Sequence, residues 1–251
     1  RQLQAANNQL RQLDQQKDEF LSQVSHEVRT PMTAIRSFSE ILLTNKDLDP
    51  QQKQNFINTI HEESMRLTSL LDEILDLNAL ERGEQLWTNE PIDPNKAIAR
   101  SIQVCTPITE QHQVEVRLGE HIRHVQVEAN FDRICQVFIN LISNAAKYNN
   151  AAKPFVEITS EITKMSDKPD QLTIRFTDNG PGISSAHRNT IFDKFWRGAR
   201  NPDTAQSGSG LGLAISREIL SQMNGSLELD VPKGGKAGMG ACFAVRLPVH
   251  M

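Results

Sequence analysis

The sequence predicts two domains of different class. The first is an α-helical hairpin that pairs into a dimeric four-helix bundle behind an N-terminal coiled coil, and the second is an α+β sandwich with a mainly antiparallel sheet and helices on one face. Apolar residues recur at helical spacing through residue 82, whereas helical and alternating segments are mixed from about residue 85. With 251 residues, the chain is long enough for two modest domains. We therefore divide it into residues 1–84 and 85–251.

The first helix begins with a heptad pattern. Two rows of residues recur every seven positions, one made of Leu3, Leu10, Lys17 and Val24 and the other of Ala6, Leu13 and Phe20. After Phe20 the apolar stripe continues to Leu42 with a slight shift of phase. A stripe of this kind predicts a partner helix, and the glutamines and charges around it suit a parallel two-stranded coiled coil.

A second helix is predicted after a break at residues 44–50, where Asp49 precedes Pro50 as a capping carboxylate precedes a first-turn proline. Gly83 is its predicted stop. Two antiparallel helices bury only one stripe each, so a second copy would complete a four-helix bundle and we expect a homodimer. A hairpin packed against the rest of its own chain is the alternative.

The second domain alternates helices and strands. Helices are predicted at residues 94–110, 131–148 and 211–223, and strands at 114–118, 125–128, 155–163, 172–177, 226–231 and 241–247. Residues 166–170 are the predicted turn between two strands, and a short amphipathic piece at 191–196 interrupts a segment rich in glycine, proline and serine. This order favours helices on one face of a mainly antiparallel sheet.

Composition excludes several classes of protein. The net charge of -4 and the pI near 6.0 provide no basic field for a nucleic acid or an anionic membrane. No apolar run has the length of a membrane span, and Cys105, Cys135 and Cys242 lack the spacing of a disulfide framework or a zinc site. We expect a cytoplasmic location for the chain as given, which leaves open an inner-membrane anchor in the full-length protein.

The segment Ser-His-Glu-Val-Arg-Thr-Pro at residues 25–31 carries an imidazole on the first helix. His26 lies two residues beyond Val24, about 200° around the helix, and therefore faces solvent. An exposed neutral imidazole can attack phosphorus, and Glu27 could accept a hydrogen bond from one ring nitrogen. Pro31 is expected to bend the helix. Taken alone, a solvent-facing histidine on a helix is far more often an ordinary surface residue, so this segment needs support from elsewhere in the chain.

Three polar groups in the second domain suit a nucleotide. Asn140, Asn144 and Lys147 share one helical face, where amide oxygens can ligate Mg²⁺ and the lysine can meet phosphate, although a solvated polar face has the same pattern. In Asp-Asn-Gly-Pro-Gly at 178–182, Asp178 can read the exocyclic amine of adenine, although the string is also a common turn. Gly-Ser-Gly-Leu-Gly-Leu at 208–213 opens a helix whose amides suit phosphate.

The His26 segment and the three groups that follow it resemble, in order, the H, N, G1 and G2 boxes of histidine kinases. The segment Ile-Phe-Asp-Lys-Phe-Trp-Arg at 191–197 resembles the F box. The resemblance covers nearly the whole chain. It implies autophosphorylation of His26 from Mg-ATP, with Glu27 as the activating acidic neighbour, transfer to an aspartate of a response regulator receiver domain, and an upstream sensor domain. In the same pattern Thr30 helps position water for dephosphorylating that partner.

The resemblance also implies the nucleotide contacts. They are Asn140, which also meets Mg²⁺, together with Asn144, Lys147, Tyr148, Asp178, Gly180, Gly182, Arg197, Gly208, Gly210, Leu211 and Gly212. Phe192 and Phe195 match anchors of a mobile lid, although hydrophobic packing explains them equally well. The lid residues 199–207 carry no assignment.

Two other functions remain open at this point. The nucleotide domain resembles that of gyrase, Hsp90 and MutL, but those ATPases place a water-activating glutamate where this chain has Asn140, and an amide cannot serve as that base. A pseudokinase that dimerises and binds a partner without transferring phosphate is the second alternative. Whether His26 would be phosphorylated by its own subunit or by its mate is also left open.

Overall fold

A computed structural model describes residues 2–45, 47–84, 87–119, 125–165, 169–197, 208–230 and 240–250; in the first helix it excludes the side chains of residues 2, 3, 5–14 and 16. The chain divides into two compact units, residues 1–76 and 77–251. No helix within the described ranges combines the length and apolar character needed to cross a bilayer.

The first unit is built from two long helices. The first helix, α1, spans Gln2–Thr44, and the second, α2, spans Pro50–Glu81 and continues into the second unit. The rings of Phe38 on α1 and Phe56 on α2 are stacked with centroids 5.2 Å apart, which places the two helices side by side as a hairpin. The predicted coiled-coil positions Leu3, Ala6, Leu10 and Leu13 fall outside the described side chains.

The predicted boundaries of α2 are confirmed. Its start is capped by Asp49, whose Oδ1 accepts a hydrogen bond from the Gln51 amide at 3.0 Å. At its end, Gly83 has φ +64°, and the amides of Gly83 and Glu84 donate to the carbonyls of Leu80 and Ala79. A left-handed glycine with these two bonds closes the helix by satisfying its last carbonyl groups.

The last turn of α2 packs within the second unit. Leu77 and Leu80 are almost completely buried, and the side chain of Gln222 donates to the Leu80 carbonyl at 2.7 Å. Glu81 forms an ion pair with Lys194 at 2.6 Å.

The second unit alternates strands and helices. Its strands are β1 Glu90–Ile92, β2 Glu115–Leu118, β3 Gln126–Ala129, β4 Phe155–Thr163, β5 Gln171–Asp178, β6 Ser226–Leu229 and β7 Cys242–His250. Its α-helices are α3 Pro94–Gln111, α4 Phe131–Tyr148 and α5 Gly212–Ser221, with a 3₁₀ helix at Ser185–His187. Side-chain caps from Asp93 and Asn130 accept backbone amides at the starts of α3 and α4.

Two features go beyond what the sequence predicted. The strand β1 was not predicted, because its three residues carry no apolar alternation. The amphipathic piece at 191–196, for which no secondary structure was predicted, is a series of turns with Phe195 at φ +60°. Residue 231 of the strand predicted at 226–231 lies outside the described part of the chain, as do residues 166–168 of the turn predicted at 166–170.

Within the described ranges, seven strands form one sheet in the order β1-β3-β7-β5-β4-β2, with β6 pairing to β7. The β2–β4 pair is parallel and the other pairs are antiparallel, which confirms the mainly antiparallel prediction. Strand β5 is therefore central, between β4 and β7. Asp178, at the end of β5, is thus positioned by two neighbouring strands.

The core lies between the sheet and α4. Along β5, Ile174 and Phe176 are buried towards α4, and the Phe176 ring lies 5.2 Å from the ring of Phe138. Arg175, which points to the opposite face by strand alternation, forms ion pairs with Glu161 and Asp230 at 2.7 and 2.9 Å. The sheet thus has one apolar face covered by helices and one polar face.

Candidate functional site

His26 presents an accessible imidazole on α1. Its side chain is 62% exposed, and its Nδ1 lies 3.8 Å from Oε1 of Glu27, whose side chain is 14% exposed. That separation is longer than a hydrogen bond, but it places a carboxylate on the Nδ1 side of the ring. The Nε2 atom, on the far side of the ring, is the nitrogen available to an incoming group.

Thr30 lies one helical turn beyond His26. Its hydroxyl donates to the carbonyl of His26 at 3.2 Å, which is the ordinary bond of a threonine within a helix. Helix α1 is assigned as one continuous helix through Pro31. Proline has no amide hydrogen, so Pro31 itself cannot donate the usual helical bond to the carbonyl four residues earlier.

In the second unit, the polar row on α4 connects to the start of α5. Asn144 donates to Oδ1 of Asn140 at 3.2 Å, and Asn140 donates to the hydroxyl of Ser216 at 2.9 Å. A Cβ placed on Gly212 would lie 2.4 Å from Asn140 Oδ1. Real Cβ atoms do not approach this closely, so a side chain at residue 212 would displace the Asn140 amide where α5 meets α4.

The loop that opens α5 is held by local contacts. Leu211 is completely buried, and its amide donates to the Ser209 hydroxyl at 3.1 Å. Gly210 has φ +75°, and a Cβ there would lie 2.7 Å from the backbone of Phe195. Gly208 packs near Tyr148, since its Cβ would lie 3.3 Å from the tyrosine hydroxyl. The loop therefore extends from one end of the α4 polar row to the other.

Asp178 ends β5 with a carboxylate held by backbone amides. Its Oδ1 accepts hydrogen bonds from Gly180 at 2.8 Å and from Ala241 at 3.1 Å. Burial raises the pKa of Asp178, and the two amide bonds oppose that effect without cancelling it. Because Oδ1 is engaged twice by the protein, Oδ2 is the oxygen left for a ligand.

Gly240 is a site residue that the sequence analysis missed. A Cβ on Gly240 would lie 1.9 Å from Asp178 Oδ1, and its amide donates to the Asp178 carbonyl at 2.9 Å. The neighbouring Gly182 has φ +71°, and its own Cβ would lie 3.4 Å from the Gly240 carbonyl. Gly240 lies two residues before β7, and the sequence alone gave no signal that this segment meets Asp178.

The structure brings most of the predicted nucleotide residues into one connected region. It runs from Gly212 and Asn140 along α4 to Tyr148, and a Cβ on Gly180 would lie 3.4 Å from the Tyr148 carbonyl, next to Asp178. The two ends of this row, Asn140 and Tyr148, are about 12 Å apart at the helical rise per residue. Lys147, near the Tyr148 end, is partly exposed.

The remaining predicted residues occupy other parts of the chain. Arg197 is partly exposed and is the last described residue before Gly208, and the lid residues 199–207 lie outside the description. Phe192 contacts Phe243 with ring centroids 6.3 Å apart, which supports a packing role. His26, Glu27 and Thr30 belong to the first unit.

The donors on α4 fit a magnesium ion held together with phosphates. Mg²⁺ prefers oxygen ligands, keeps several waters and is usually bound through one or two protein oxygens plus substrate phosphates. Asn140 provides an amide oxygen that, among the described residues, accepts a hydrogen bond from Asn144 at 3.2 Å and has a second lone pair for an ion. Asn140 is therefore the residue suited to this ion.

Two family models match the chain. Residues 16–83 match the His Kinase A (phospho-acceptor) domain, which includes His26. Residues 129–251 match the histidine kinase-, DNA gyrase B- and HSP90-like ATPase family, which includes the Asp178 and α4 region.

Curated relatives match across almost the full chain. The sensor protein kinase WalK of Staphylococcus saprophyticus is 31% identical over 245 residues, which cover 96% of this chain and 38% of that protein. A WalK sequence from Staphylococcus aureus is 31% identical over the same length, covering 55% of that protein. The chain therefore spans well under two thirds of the length of these relatives.

Solved structures share the fold. The Acinetobacter baumannii histidine kinase AdeS superposes with a TM-score of 0.66 at 20% identity, covering 89% of this chain and 97% of that one. The histidine kinase ThkA, in complex with the response regulator protein TrrA, gives 0.68 at 24% identity, covering 92% of this chain and 61% of that one. With a phosphoacceptor domain, an ATPase domain and relatives of this kind, the chain belongs to the sensor histidine kinases, of which it is a catalytic core.

Proposed function

We propose that this chain transfers the γ-phosphoryl group of Mg-ATP to His26 and then passes it to an aspartate of a response regulator receiver domain. The observation that carries the proposal is the exposed His26 imidazole, with a carboxylate on its Nδ1 side and its Nε2 side open. The same chain carries, in its second unit, a region suited to an adenine nucleotide.

Adenine recognition is assigned to Asp178. An ionised carboxylate accepts hydrogen bonds only, so Oδ2 can take the exocyclic amine of adenine and disfavours guanine, which has a carbonyl at that position. Tyr148, Gly180 and Gly182 would border the base and ribose. The backbone amides of 208–212, at the N-terminus of α5, would face the phosphates.

The phosphate end is assigned to the α4 row and its neighbours. Asn140 would hold Mg²⁺, and Asn144, Lys147 and Arg197 would meet phosphate oxygens. The ion would supply neutralisation of charge on the phosphates. What the protein contributes is orientation, since phosphoryl transfer depends mainly on positioning and charge stabilisation.

The transfer to His26 balances without any further reactant. The Nε2 lone pair attacks the γ-phosphorus, an N–P bond forms as the bridging P–O bond breaks, and ADP leaves with the electron pair. Positive charge develops on the ring, and the Glu27 carboxylate stabilises it through Nδ1–H after closing to hydrogen-bond distance. In the second step a receiver carboxylate oxygen attacks phosphorus, the N–P bond breaks and the imidazole becomes neutral again.

Transfer is favoured over hydrolysis by the chemistry of Asn140. An amide cannot take a proton from water, so this position does not supply the general base that a gyrase-like ATPase requires. Its hydrogen bond to Ser216 shows that the amide nitrogen is already used in joining α4 to α5.

A homodimer is part of the proposal because α1 and α2 expose large apolar side chains. Leu43, Leu75, Met65 and Leu71 are between 46% and 81% exposed. On α2, Leu71 and Leu75 are four residues apart, which gives them one helical face. A second copy of the hairpin would cover these residues and complete a four-helix bundle. An upstream sensor domain, with or without an inner-membrane anchor, would act on α1.

Incubation with radiolabelled ATP tests the first step. We expect a protein adduct that is labile in acid and stable in alkali, as an N–P bond is, and that disappears in His26→Gln while ATP binding remains. Labelling retained in His26→Gln would refute the assignment. ATP binding without any adduct in the parent would favour the pseudokinase alternative, and steady phosphate release without adduct would favour an ATPase.

The Thr30 hydroxyl tests the proposed phosphatase activity. Its exposed position one turn from His26 is suited to positioning water against a phosphorylated partner. Thr30→Ala is expected to keep autophosphorylation and to lose most dephosphorylation of the receiver domain. Thr33→Ala is the matched control, because Thr33 lies three residues further along α1 and its hydroxyl makes the same kind of bond within the helix. Equal loss of both activities in Thr30→Ala would contradict a separate role.

A further inference from the structure

Two asparagines outside the predicted site form a network at its adenine end. Asn149 directly follows α4, and Asn179 directly follows Asp178. Asn149 Nδ2 donates to Asn179 Oδ1 at 2.9 Å and to the Phe155 carbonyl at 3.2 Å. Asn179 Oδ1 also accepts from the Phe155 amide at 2.8 Å.

The remaining polar atoms of the pair are engaged as well. Asn149 Oδ1 accepts from the Ala151 amide at 3.1 Å, and Asn179 Nδ2 donates to the Lys153 carbonyl at 2.9 Å. Each amide therefore both donates and accepts. An aspartate side chain has no N–H to donate. A serine hydroxyl is too short to bond the other asparagine while it also makes the local turn bond. This network therefore requires asparagine at both positions.

The network joins the two elements that carry the candidate site. Helix α4 provides Asn140, Asn144 and Lys147, whereas β5 provides Asp178, and the pair links the end of α4 to the end of β5. The backbones also touch there, because a Cβ on Gly180 would lie 3.3 Å from Asn149 Cα.

We infer that Asn149 and Asn179 are positioning residues that fix the separation between the adenine-reading carboxylate and the phosphate-binding face of α4. This inference rests on the proposed function, since it concerns the same nucleotide. A ligand that spans two subsites binds tightly only when their separation matches it, because the second contact then forms at a high effective concentration. A ligand that occupies one subsite gains nothing from that separation.

The network therefore predicts an unequal effect on two ligands. In Asn149→Ala and in Asn179→Ala, affinity for ATP should fall about tenfold, whereas affinity for adenosine should change less than about twofold. The double variant should lose less ATP affinity than the two single losses added together, because the bond between the two side chains is removed by either change.

Asn130→Ala is the matched control. Asn130 caps the opposite end of α4, where its Oδ1 accepts from Arg133 at 3.1 Å. Its loss should lower the thermal midpoint as a lost cap does, and should leave the ratio of ATP to adenosine affinity unchanged. Asn149→Ser is a milder variant if Asn149→Ala does not fold. Its hydroxyl can still accept from the Ala151 amide, but the two bonds that Asn149 Nδ2 donates are lost.

The experiment measures ATP and adenosine dissociation constants on the whole chain by NMR-detected titration, below the thermal midpoint of each variant. A fall in the ratio of ATP to adenosine affinity in both single variants, with the ratio kept in Asn130→Ala, supports the inference. An unchanged ratio in folded variants overturns it, as does an equal loss of both ligands. If the parent itself bound no ATP, the proposed function would fail instead.

Discussion

Replacing Gly240 by alanine is expected to weaken nucleotide binding by displacing the Asp178 carboxylate. The new Cβ would lie 1.9 Å from Asp178 Oδ1 and 2.5 Å from the Gly180 amide nitrogen. To reach 3.0 Å, the smallest separation that real Cβ atoms show, the oxygen must move by about 1 Å. That movement breaks or lengthens its bonds to the amides of Gly180 and Ala241.

The size of the effect follows from those two bonds. A hydrogen bond to a charged group contributes about 1.5–3 kcal/mol, so losing both removes roughly 3–6 kcal/mol of carboxylate positioning. If half of this appears as lost affinity, ATP binding weakens about 10- to 100-fold. The remainder should appear as a lower thermal midpoint.

Isothermal titration with ATP and thermal denaturation measure the two parts. Gly119→Ala is the matched control, because its Cβ would meet the Thr159 methyl at 2.6 Å, a comparable contact away from Asp178. We expect the control to lose some stability and no ATP affinity. A folded Gly240→Ala that binds ATP within about threefold of the parent would refute the reasoning.

Three further predictions concern Asp178 and the core. Because burial raises the pKa of Asp178, ATP affinity, which needs the ionised carboxylate, should begin to fall on acidification at a higher pH than an exposed aspartate would cause. Burial penalises the ionised form of Asp178, so Asp178→Asn should match or exceed the thermal midpoint of the parent at neutral pH. The difference between the two thermal midpoints should shrink as the pH falls, because the parent carboxylate becomes neutral. The same substitution should lower ATP affinity about 10- to 100-fold. Phe138→Ala, which removes a completely buried ring packed on Phe176, should lower the free energy of unfolding by about 3–5 kcal/mol in denaturant titrations; a loss below about 1 kcal/mol would contradict the assigned core.

Local geometry explains what the sequence could predict. Asn140 and Asn144 are separated by one helical turn, and the structure places their amides 3.2 Å apart, as that spacing requires. The stop at Gly83 was also readable, because a glycine after an apolar helix favours a left-handed closing residue. Such features depend on residues close together in the chain.

Non-local pairing explains what it could not. Gly240 matters only because β7 pairs with β5, which brings the residues before β7 against Asp178. The Asn149–Asn179 contact likewise depends on the positions of α4 and β5, which are separated by β4 in the chain. No short-range pattern identifies such partners, since an asparagine after a helix or strand is an ordinary turn residue.

The segment at 191–196 shows a limit of another kind. Its amphipathic pattern agrees with a buried Ile191. The pattern alone does not specify the backbone conformation, which is a series of turns. Phe195 adopts φ +60° beside Gly210, and the amides of Asp193 and Trp196 donate to the carbonyls of Thr190 and Asp193.

The origin and destination of the phosphate test the central claim most directly. The chain is incubated in parallel with ATP labelled in the γ-phosphate and with ATP labelled in the α-phosphate, digested with trypsin under alkaline conditions, and its peptides are separated. The γ label should appear in the peptide of residues 18–29, between Lys17 and Arg29, in which His26 is the one histidine, and the α label should appear in none. Label from the γ position on any other peptide, or equal labelling from both forms of ATP, would contradict the transfer from bound ATP to His26.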